Sequence, residues 1–246
     1  MIHFFLPQSG FSGPPANPHK WLTERRNRPT LSVDMTSPND IREQIIQAGR
    51  RLEARGFVAG TDGNISARLG PNRILITPTG MAKGRLTADD LVVVDFDGQR
   101  TDGRRNPSSE MGMHLAVYQQ RSDIHACVHA HPPYSTAFAV AGQPLPPDIL
   151  PEVVLFVGPI PLTDYAPPGT SSVADSLNPY LGSHDAFLMR SHGLLTIGKS
   201  LESAYNRHET VEHYAHILWI ARQLGDWGRI PAADLARLTQ QRDNGD

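Results

Sequence analysis

The sequence lacks the features of several protein classes. Its 246 residues include one cysteine, Cys127, so no disulfide framework can form within the chain and a reducing compartment is expected. No apolar run reaches the 18 residues of a transmembrane helix. The formal net charge is −2 with both signs interspersed, so no basic face for nucleic acid is expected. These absences predict a cytoplasmic protein that binds neither membranes nor nucleic acid.

Length and composition predict one folded domain preceded by a different kind of segment. With 39% hydrophobic residues, the chain is long enough for one substantial core. Residues 1–36 are rich in proline and have no helical or strand period, so we expect a disordered N-terminal extension. Two alternatives are a natural start at Met35 and an arm that packs on a neighbouring subunit. The domain is expected over residues 37–225, followed by a polar, frayed C-terminal tail over residues 226–246.

Apolar periodicity and turn residues predict the secondary structure. Helices are predicted over residues 37–56, 108–121, 134–141, 171–181 and 200–224. Strands are predicted over residues 64–69, 73–77, 91–96, 125–131, 153–157 and 186–197. Hairpins enter the sheet without strict βαβ alternation. The prediction is therefore a single-domain α/β/α sandwich with a mixed, largely antiparallel central sheet.

A candidate metal site lies in the middle of the chain. His129 and His131 are two apart in a predicted strand, which points both imidazoles to the same face. Glu110 opens the preceding helix, and His192 lies in a second strand-like run. Three histidines and a carboxylate suit a borderline divalent metal, zinc first among them. The alternative is that the histidine pair consists of two polar residues on a half-exposed strand.

Three clusters of small residues offer backbone N–H groups and polar donors between the predicted elements. They are Gly63-Asn64, Thr79-Gly80 and Ser108-Ser109. Ser108-Ser109 also starts a helix, where free N–H groups and the helix dipole favour an anion. For each cluster taken alone, ordinary turn and cap chemistry is the favoured explanation. Lys83 and Arg190 are close in sequence, and a solvated surface position is expected for both.

Five motifs in a fixed order resemble the class II aldolase/adducin family. They span about residues 38–225 and comprise Gly63-Asn64-Ile65-Ser66, Thr77-Pro78-Thr79-Gly80, Pro107-Ser108-Ser109-Glu110, His129-Ala130-His131 and His192-Gly193-Leu194. The resemblance implies a metal-dependent aldolase that cleaves a fuculose-like, or deoxy- or methylthio-pentulose, ketose 1-phosphate. The products would be dihydroxyacetone phosphate and an aldehyde, formed through a metal-stabilised enediolate. It also implies a homotetramer with active sites at subunit interfaces.

The same resemblance implies a role for each matching residue. The nitrogen ligands would be His129, His131 and His192, and Glu110 would be the fourth ligand or the base beside the metal. Zinc is the expected ion, with Mn²⁺ or Co²⁺ as alternatives. The substrate phosphate would be held by Asn64, Thr79, Gly80, Ser108 and Ser109. Alternative functions are a sugar-phosphate 4-epimerase or dehydratase at the same site, and a non-catalytic adducin-like module.

The chain departs from the family pattern at the aldehyde end of the site. Family aldolases place a tyrosine about twenty residues after the histidine pair, but residues 145–152 contain none. Glu152 is the nearest titratable group and Asp148 the second. Glu152 is therefore predicted as a catalytic acid, with an ordinary charge at the edge of an element as the alternative.

Four other histidines and the cysteine have less specific interpretations. His114 follows Glu110 by four residues and shares its helix face, so it either supports the metal site or is a polar helix position. His208, His213 and His216 are expected at the surface or an interface. Cys127 is expected to pack in the core.

Overall fold

The structure, a computed structural model, describes residues 37–245. The predicted disordered extension and the alternative start at Met35 lie outside these residues. The helices are α1 (Pro38–Ala54), α2 (Met111–Gln120), α3 (Pro133–Ala141), α4 (Pro151–Phe156), α5 (Ser171–Leu181), α6 (Leu201–Leu224) and α7 (Ala232–Asp243). The strands are β1 (Asn64–Arg68), β2 (Arg73–Ile76), β3 (Val92–Asp95), β4 (Arg100–Asp102), β5 (Ala126–Ala130), β6 (Ala186–Met189) and β7 (Gly193–Gly198).

The seven strands form one sheet between two layers of helices. The strand order is β4-β3-β2-β1-β5-β7-β6, and each pairing of neighbouring strands is antiparallel. A parallel bridge joins Leu162 to Leu188. One apolar core lies between the sheet and helices α2 and α5, and two others lie on the opposite face beneath α1, α3 and α6. The predicted α/β class with a largely antiparallel sheet is confirmed.

Helix α1 begins where the sequence predicts, at a capping box. The Ser37 hydroxyl accepts a hydrogen bond from the Asp40 N–H, and the Asp40 carboxylate accepts one from the Ser37 N–H. Pro38 occupies the first turn, where its missing N–H has no helical partner to lose. Ile45 and Leu52 lie on the buried face of this helix. None of the helices in residues 37–245 is long and apolar enough to cross a membrane.

Two strand predictions are wrong. Residues 153–157 belong mostly to helix α4, because Pro151 in the first turn favours a helix start and a short apolar run does not distinguish helix from strand. The predicted strand over residues 186–197 is a hairpin of β6 and β7. Its turn is tight: the His192 N–H donates to the Met189 carbonyl, and Ser191 has a left-handed φ of 53°. His192 therefore lies in a turn and not in a strand.

The segment after residue 225 also differs from the prediction. A frayed tail was expected, but residues 232–243 form helix α7, which packs against α4. Its residues are exposed or half-buried, so amphipathic periodicity gives little signal. A short strand, β4, extends the sheet where none was predicted, and its three residues are all exposed.

Candidate metal centre and active site

Strand register brings the candidate site residues to one end of the sheet. Asn64, at the start of β1, pairs with His129 near the end of β5 because the two strands are antiparallel. Ala130 pairs with Leu194, which places the turn containing His192 beside the end of β5. The His131 N–H, just beyond the strand, donates to the Phe57 carbonyl. The site is thus assembled from segments far apart in the chain.

The three histidines predicted as metal ligands form a compact cluster. Ring centroids are 5.0 Å apart for His129 and His131, 4.7 Å for His129 and His192, and 5.2 Å for His131 and His192. One potential ligand atom from each ring lies within 4.8 Å of the others. Although His192 is 61 residues beyond His131 in sequence, the fold makes the two rings neighbours.

Glu110 directs its carboxylate into the same cluster. Its Oε1 is 2.9 Å from His192 Nε2, and its Oε2 is 3.3 Å from His129 Nε2. Burial raises the pKa of Glu110, but the hydrogen bonds and positive charge of His129 and His192 outweigh burial and lower the pKa below its ordinary value. A carboxylate in this place is therefore ionised and able to bind a cation.

The donor set fits a divalent cation. His129 Nδ1 lies 3.0 Å from the Leu194 carbonyl, which can only accept, so this nitrogen carries a proton, and Nε2, once deprotonated, is the nitrogen available to a metal ion. His129 Nε2 faces His131 Nε2 at 3.2 Å. Two ligands on tetrahedral zinc, each bonded at ~2.0–2.1 Å, lie about 3.3–3.4 Å apart. The two nitrogens therefore stand at nearly the separation that a shared metal ion requires.

The cluster is closed on one side and open on the other. His129 is fully buried, while the His131 side chain is 28% exposed. The carboxylate of Asp62 lies 3.4 Å from His131 Nδ1 on this open side. Burial and the neighbouring charges of His129 and His192 lower the pKa of His131 to about 4. A neutral His131 is the form that binds a metal ion, and a small molecule can approach from its side.

Four of the five residues predicted to bind phosphate lie together near the cluster. An isolated bridge between Pro78 and Pro107 joins the loop carrying Thr79 and Gly80 to the loop carrying Ser108 and Ser109. The Ser108 N–H donates to the Thr77 carbonyl, and the Thr79 N–H donates to the Asn106 carbonyl. Thr79, Gly80 and Ser109 are exposed, and Ser108 is buried. We call these two loops the phosphate cradle.

Asn64, the fifth predicted phosphate residue, is turned toward Glu110. Its side-chain Nδ2 donates to Glu110 Oε2 at 2.8 Å, and its Oδ1 lies 2.5 Å from His114 Nε2. Burial and the charge of His129 lower the pKa of His114 to about 3, so this imidazole is neutral. Of the two interpretations of His114, the structure supports contact with the site: the residue is buried and reaches Glu110 through one amide.

Sequence reasoning missed two buried charges near the site. Lys83, expected at the surface, is 1% exposed, and its ammonium donates to the carbonyls of Thr61 and Met81. It thereby ties the loop before β1 to the loop after Gly80. Burial lowers its pKa to about 8, against opposing attraction from Asp62 and Glu110. The chain around Lys83 reads Ala-Lys-Gly-Arg, which carries no sign of burial.

Glu212 is the second buried charge. Its carboxylate accepts hydrogen bonds of 2.8 Å from the N–H groups of Tyr134 and Ser135 and from the Ser135 hydroxyl. These groups begin helix α3, immediately after the loop that contains His131. Glu212 therefore caps the helix that fixes this loop. Its partners are 77 and 78 residues away, so no local pattern could reveal the contact.

The predicted aldehyde-end residues lie outside the histidine cluster of this chain. Glu152 is exposed and lines a cavity of about 790 Å³ together with Tyr134, His213 and His216. Asp148, the second choice, is paired with Arg229 at 2.6 Å. His208, expected at the surface, is fully buried, and its Nδ1 faces the Thr196 hydroxyl at 3.2 Å. The expected surface position of Arg190 and the expected core position of Cys127 are confirmed.

Comparison with known proteins decides the family. Residues 43–219 match the model of the class II aldolase and adducin N-terminal domain. The chain belongs to this family. The class II aldolase family implies a divalent metal, and the three-histidine cluster is compatible with one. The chain is an enzyme of the class II aldolase type, as its aldolase relatives also indicate.

Individual relatives cover most of this class II aldolase chain. An L-fuculose phosphate aldolase of Methanococcus maripaludis is 36% identical, over 74% of this chain and 97% of its own length. A 3-oxo-tetronate 4-phosphate decarboxylase of Haemophilus influenzae is 34% identical, over 72% of this chain and 86% of its own. A solved L-fuculose 1-phosphate aldolase superposes with a TM-score of 0.77 at 30% identity, covering 85% of this chain and 98% of that one.

Proposed function

We propose that this protein is a zinc-dependent aldolase that cleaves a ketose 1-phosphate into dihydroxyacetone phosphate and an aldehyde. The observation that carries the proposal is the convergence of three imidazoles and the Glu110 carboxylate next to the phosphate cradle. Candidate substrates are fuculose-like hexulose phosphates and deoxy- or methylthio-pentulose phosphates. A donor set of three nitrogens and one oxygen suits zinc, with Mn²⁺ or Co²⁺ as alternatives.

The phosphate cradle would bind and orient the substrate. The hydroxyls of Thr79, Ser108 and Ser109 and the N–H of Gly80 are the donors we assign to the phosphate. Gly80 has a left-handed φ of 69°, a conformation that favours glycine, and it has no side chain to block an approaching oxygen. Asn64 would contribute its remaining amide hydrogen while the other holds Glu110. Binding at this end places the sugar carbons toward the histidine cluster.

Glu110 would move the proton in the reaction. His129, His131 and His192 would hold the metal ion, which would supply Lewis acidity at the substrate carbonyl. Glu110 lies at the same place and is ionised, so it is able to take a proton from the substrate or return one to the carbon released by bond cleavage. Because Glu110 is mostly buried, bulk water does not compete readily for this proton.

The proposal is tested with a panel of ketose 1-phosphates and a coupled assay for dihydroxyacetone phosphate. His131→Ala is expected to lose both bound metal and activity, because it removes one ligand. Glu110→Gln is expected to keep much of the metal and lose turnover, because the amide cannot transfer the proton. Full activity of Glu110→Gln would contradict the assigned role, and no product from any substrate would contradict the aldolase itself.

A second candidate function is decarboxylation of a 3-oxo acid that carries a 4-phosphate. Its products are carbon dioxide and the enediolate of dihydroxyacetone phosphate, which is also the nucleophilic half released in aldol cleavage. Loss of carbon dioxide needs no acid or base at the aldehyde end, and residues 145–152 lack the expected tyrosine. The Haemophilus influenzae relative carries this activity in its name.

Product analysis separates the candidates. Aldol cleavage yields an aldehyde and decarboxylation yields carbon dioxide, each with dihydroxyacetone phosphate. A 4-epimerase gives a product of unchanged mass, and a dehydratase gives one lighter by a water molecule. An adducin-like module without catalysis predicts a protein that takes up no metal, which elemental analysis checks.

We also propose a homotetramer in which Glu152 serves the site of a neighbouring subunit. Large apolar side chains remain exposed in the described part of the chain, including Phe156 (64%) and Trp219 (47%). Phe156 and Glu152 lie on the same short helix, α4, so burial of one would bring the other to the interface. Light scattering of the purified protein tests the assembly. A cytoplasmic location is proposed from the one buried cysteine.

A further inference from the structure

A continuous line of polar side chains runs from the core to the candidate base. It begins at Tyr118, whose hydroxyl lies 2.9 Å from the Ser66 hydroxyl. Ser66 Oγ is 2.7 Å from His114 Nδ1, and His114 Nε2 is 2.5 Å from Asn64 Oδ1. Asn64 Nδ2 completes the line at Glu110 Oε2. Ser66 and His114 are fully buried, and Asn64 and Tyr118 are 2% exposed, so solvent offers these groups almost no alternative partner.

The direction of every hydrogen bond in this line follows from the orientation of the Asn64 amide. Asn64 presents its NH₂ group to Glu110 Oε2 and its Oδ1 to His114 Nε2. Oδ1 only accepts, so His114 Nε2 carries a hydrogen. The neutral ring then has an unprotonated Nδ1, to which Ser66 donates, leaving the Ser66 oxygen to accept from Tyr118. All donors and acceptors match in this one arrangement.

We propose that His114 is a positioning residue that fixes the side-chain amide of Asn64 and, through it, the carboxylate of Glu110. This inference rests on the proposed function, in which Glu110 transfers the proton. If Asn64 lost the Nε2–H donor and its amide turned over, Oδ1 would face Glu110 Oε2, and two acceptors would repel. The helix contributes to the geometry, because His114 is one turn after Glu110 on α2 and shares its face.

Packing alone does not account for this arrangement. An apolar residue would fill the same space within the core without requiring Ser66 and Asn64 to stand on opposite sides of the ring. The imidazole instead has both nitrogens in hydrogen bonds, one toward the core and one toward the site. Buried polar groups of this kind restrict their neighbours to one orientation.

Two substitutions at residue 114 distinguish positioning from packing. Gln places an amide NH₂ near the former Nε2 and can still donate to Asn64, whereas Asn is shorter and reaches only the position of Nδ1. We expect His114→Gln to retain most of kcat, and His114→Asn to lower kcat about 10- to 100-fold, the size of effect seen for groups that orient metal-site residues. His125→Asn, at an exposed histidine, is the matched control.

The outcomes are separated by the comparison of the two variants. If His114→Gln and His114→Asn lose kcat equally, and in proportion to their loss of thermal stability, the proposal is overturned in favour of simple packing. If His114→Asn does not fold, Ser66→Ala serves instead, because it removes the donor that holds the ring tautomer. A kcat of Ser66→Ala equal to that of the wild type would likewise overturn the proposal.

A measurement independent of catalysis distinguishes this inference from the aldolase proposal. Nitrogen-15 NMR of the imidazoles should show His114 with its proton on Nε2, and a proton on Nδ1 would overturn the inference. Zinc affinity by chelator competition should fall in His114→Asn by no more than it falls in Glu110→Gln, and it should not fall in His114→Gln. If the wild type cleaves no ketose phosphate while both results hold, the proposed function fails and the positioning role stands.

Discussion

Gly193 offers the sharpest test of the histidine cluster. A Cβ at this position would lie 2.5 Å from His131 Cδ2, 2.6 Å from the Ala130 carbonyl oxygen and 3.3 Å from His129 Cε1. The backbone of Gly193 does not have a positive φ, so alanine is compatible with the chain conformation. The effect of Gly193→Ala therefore comes from the added methyl group alone, which would enter the space between two predicted ligands.

The size of the displacement predicts the size of the effect. Carbon atoms in ordinary contact are about 3.5 Å apart, so the His131 ring would have to move by about 1 Å. Metal–ligand distances tolerate about 0.2 Å. We expect a loss of zinc affinity of at least about tenfold and a fall in unfolding free energy of about 1–3 kcal/mol from overpacking.

Chelator competition and chemical denaturation measure these two effects. Gly182→Ala is the control: Gly182 ends α5 in a right-handed conformation, and its Cβ would meet nothing within 4 Å. This variant is expected to bind zinc normally and to gain about 0.4–1 kcal/mol. Wild-type zinc affinity in Gly193→Ala would refute the reasoning, because the cluster would then tolerate a methyl group at its centre.

Two further predictions concern the buried charges. Glu212→Gln should lower the unfolding free energy by about 1–3 kcal/mol in denaturant titrations, because the amide NH₂ would face a donor where the carboxylate accepted three hydrogen bonds. Glu202→Gln, at an exposed position of the same helix, should change it little, and equal losses would contradict the capping role. The pKa of Lys83 is lowered from its ordinary 10.5 to about 8 in the folded chain. Between these two pH values the unfolded chain binds more protons than the folded chain, so the unfolding free energy should rise with pH across this window. In Lys83→Met the unfolding free energy should rise less over the same pH window, as measured by denaturant titrations at several pH values. The same slope of unfolding free energy against pH in Lys83→Met and the wild type would show that the ammonium is not buried.

Local sequence patterns predicted the parts of the site that lie close together in the chain. The spacing of His129 and His131 and the position of Glu110 at a helix start follow from strand and helix periods. The pairing of Asn64 with His129 depends on the antiparallel register of β1 and β5, which no local pattern specifies. The hairpin turn at His192 was missed because apolar residues on both sides read as one continuous strand.

Burial of charge was the main feature that the sequence did not reveal. Lys83 lies between Ala82 and Gly84, which carry no sign of burial, and the carbonyls of Thr61 and Met81 come together only in the folded chain. The wrong strand predictions at α4 and at the β6–β7 hairpin share a cause, since short apolar runs are compatible with either type of element. The contacts of Glu212 and His208 likewise arise from packing of α6 against the rest of the fold.

This chain provides candidate residues for one half of the proposed reaction and none within the cluster for the other half. The half that would hold phosphate and stabilise the enediolate lies within one chain: the phosphate cradle, three imidazoles and Glu110 are together at one end of the sheet. The half that would take the proton from the C4 hydroxyl, as that carbon becomes the aldehyde, has no candidate within the cluster, since Glu152 lies on a cavity beside α6 and Asp148 is paired with Arg229. Aldol cleavage and decarboxylation share the first half and differ in the second, because only aldol cleavage requires a group that accepts the hydroxyl proton there. In the proposed homotetramer, the residues that a neighbouring subunit would bring to this end would decide which of the two reactions the common site performs.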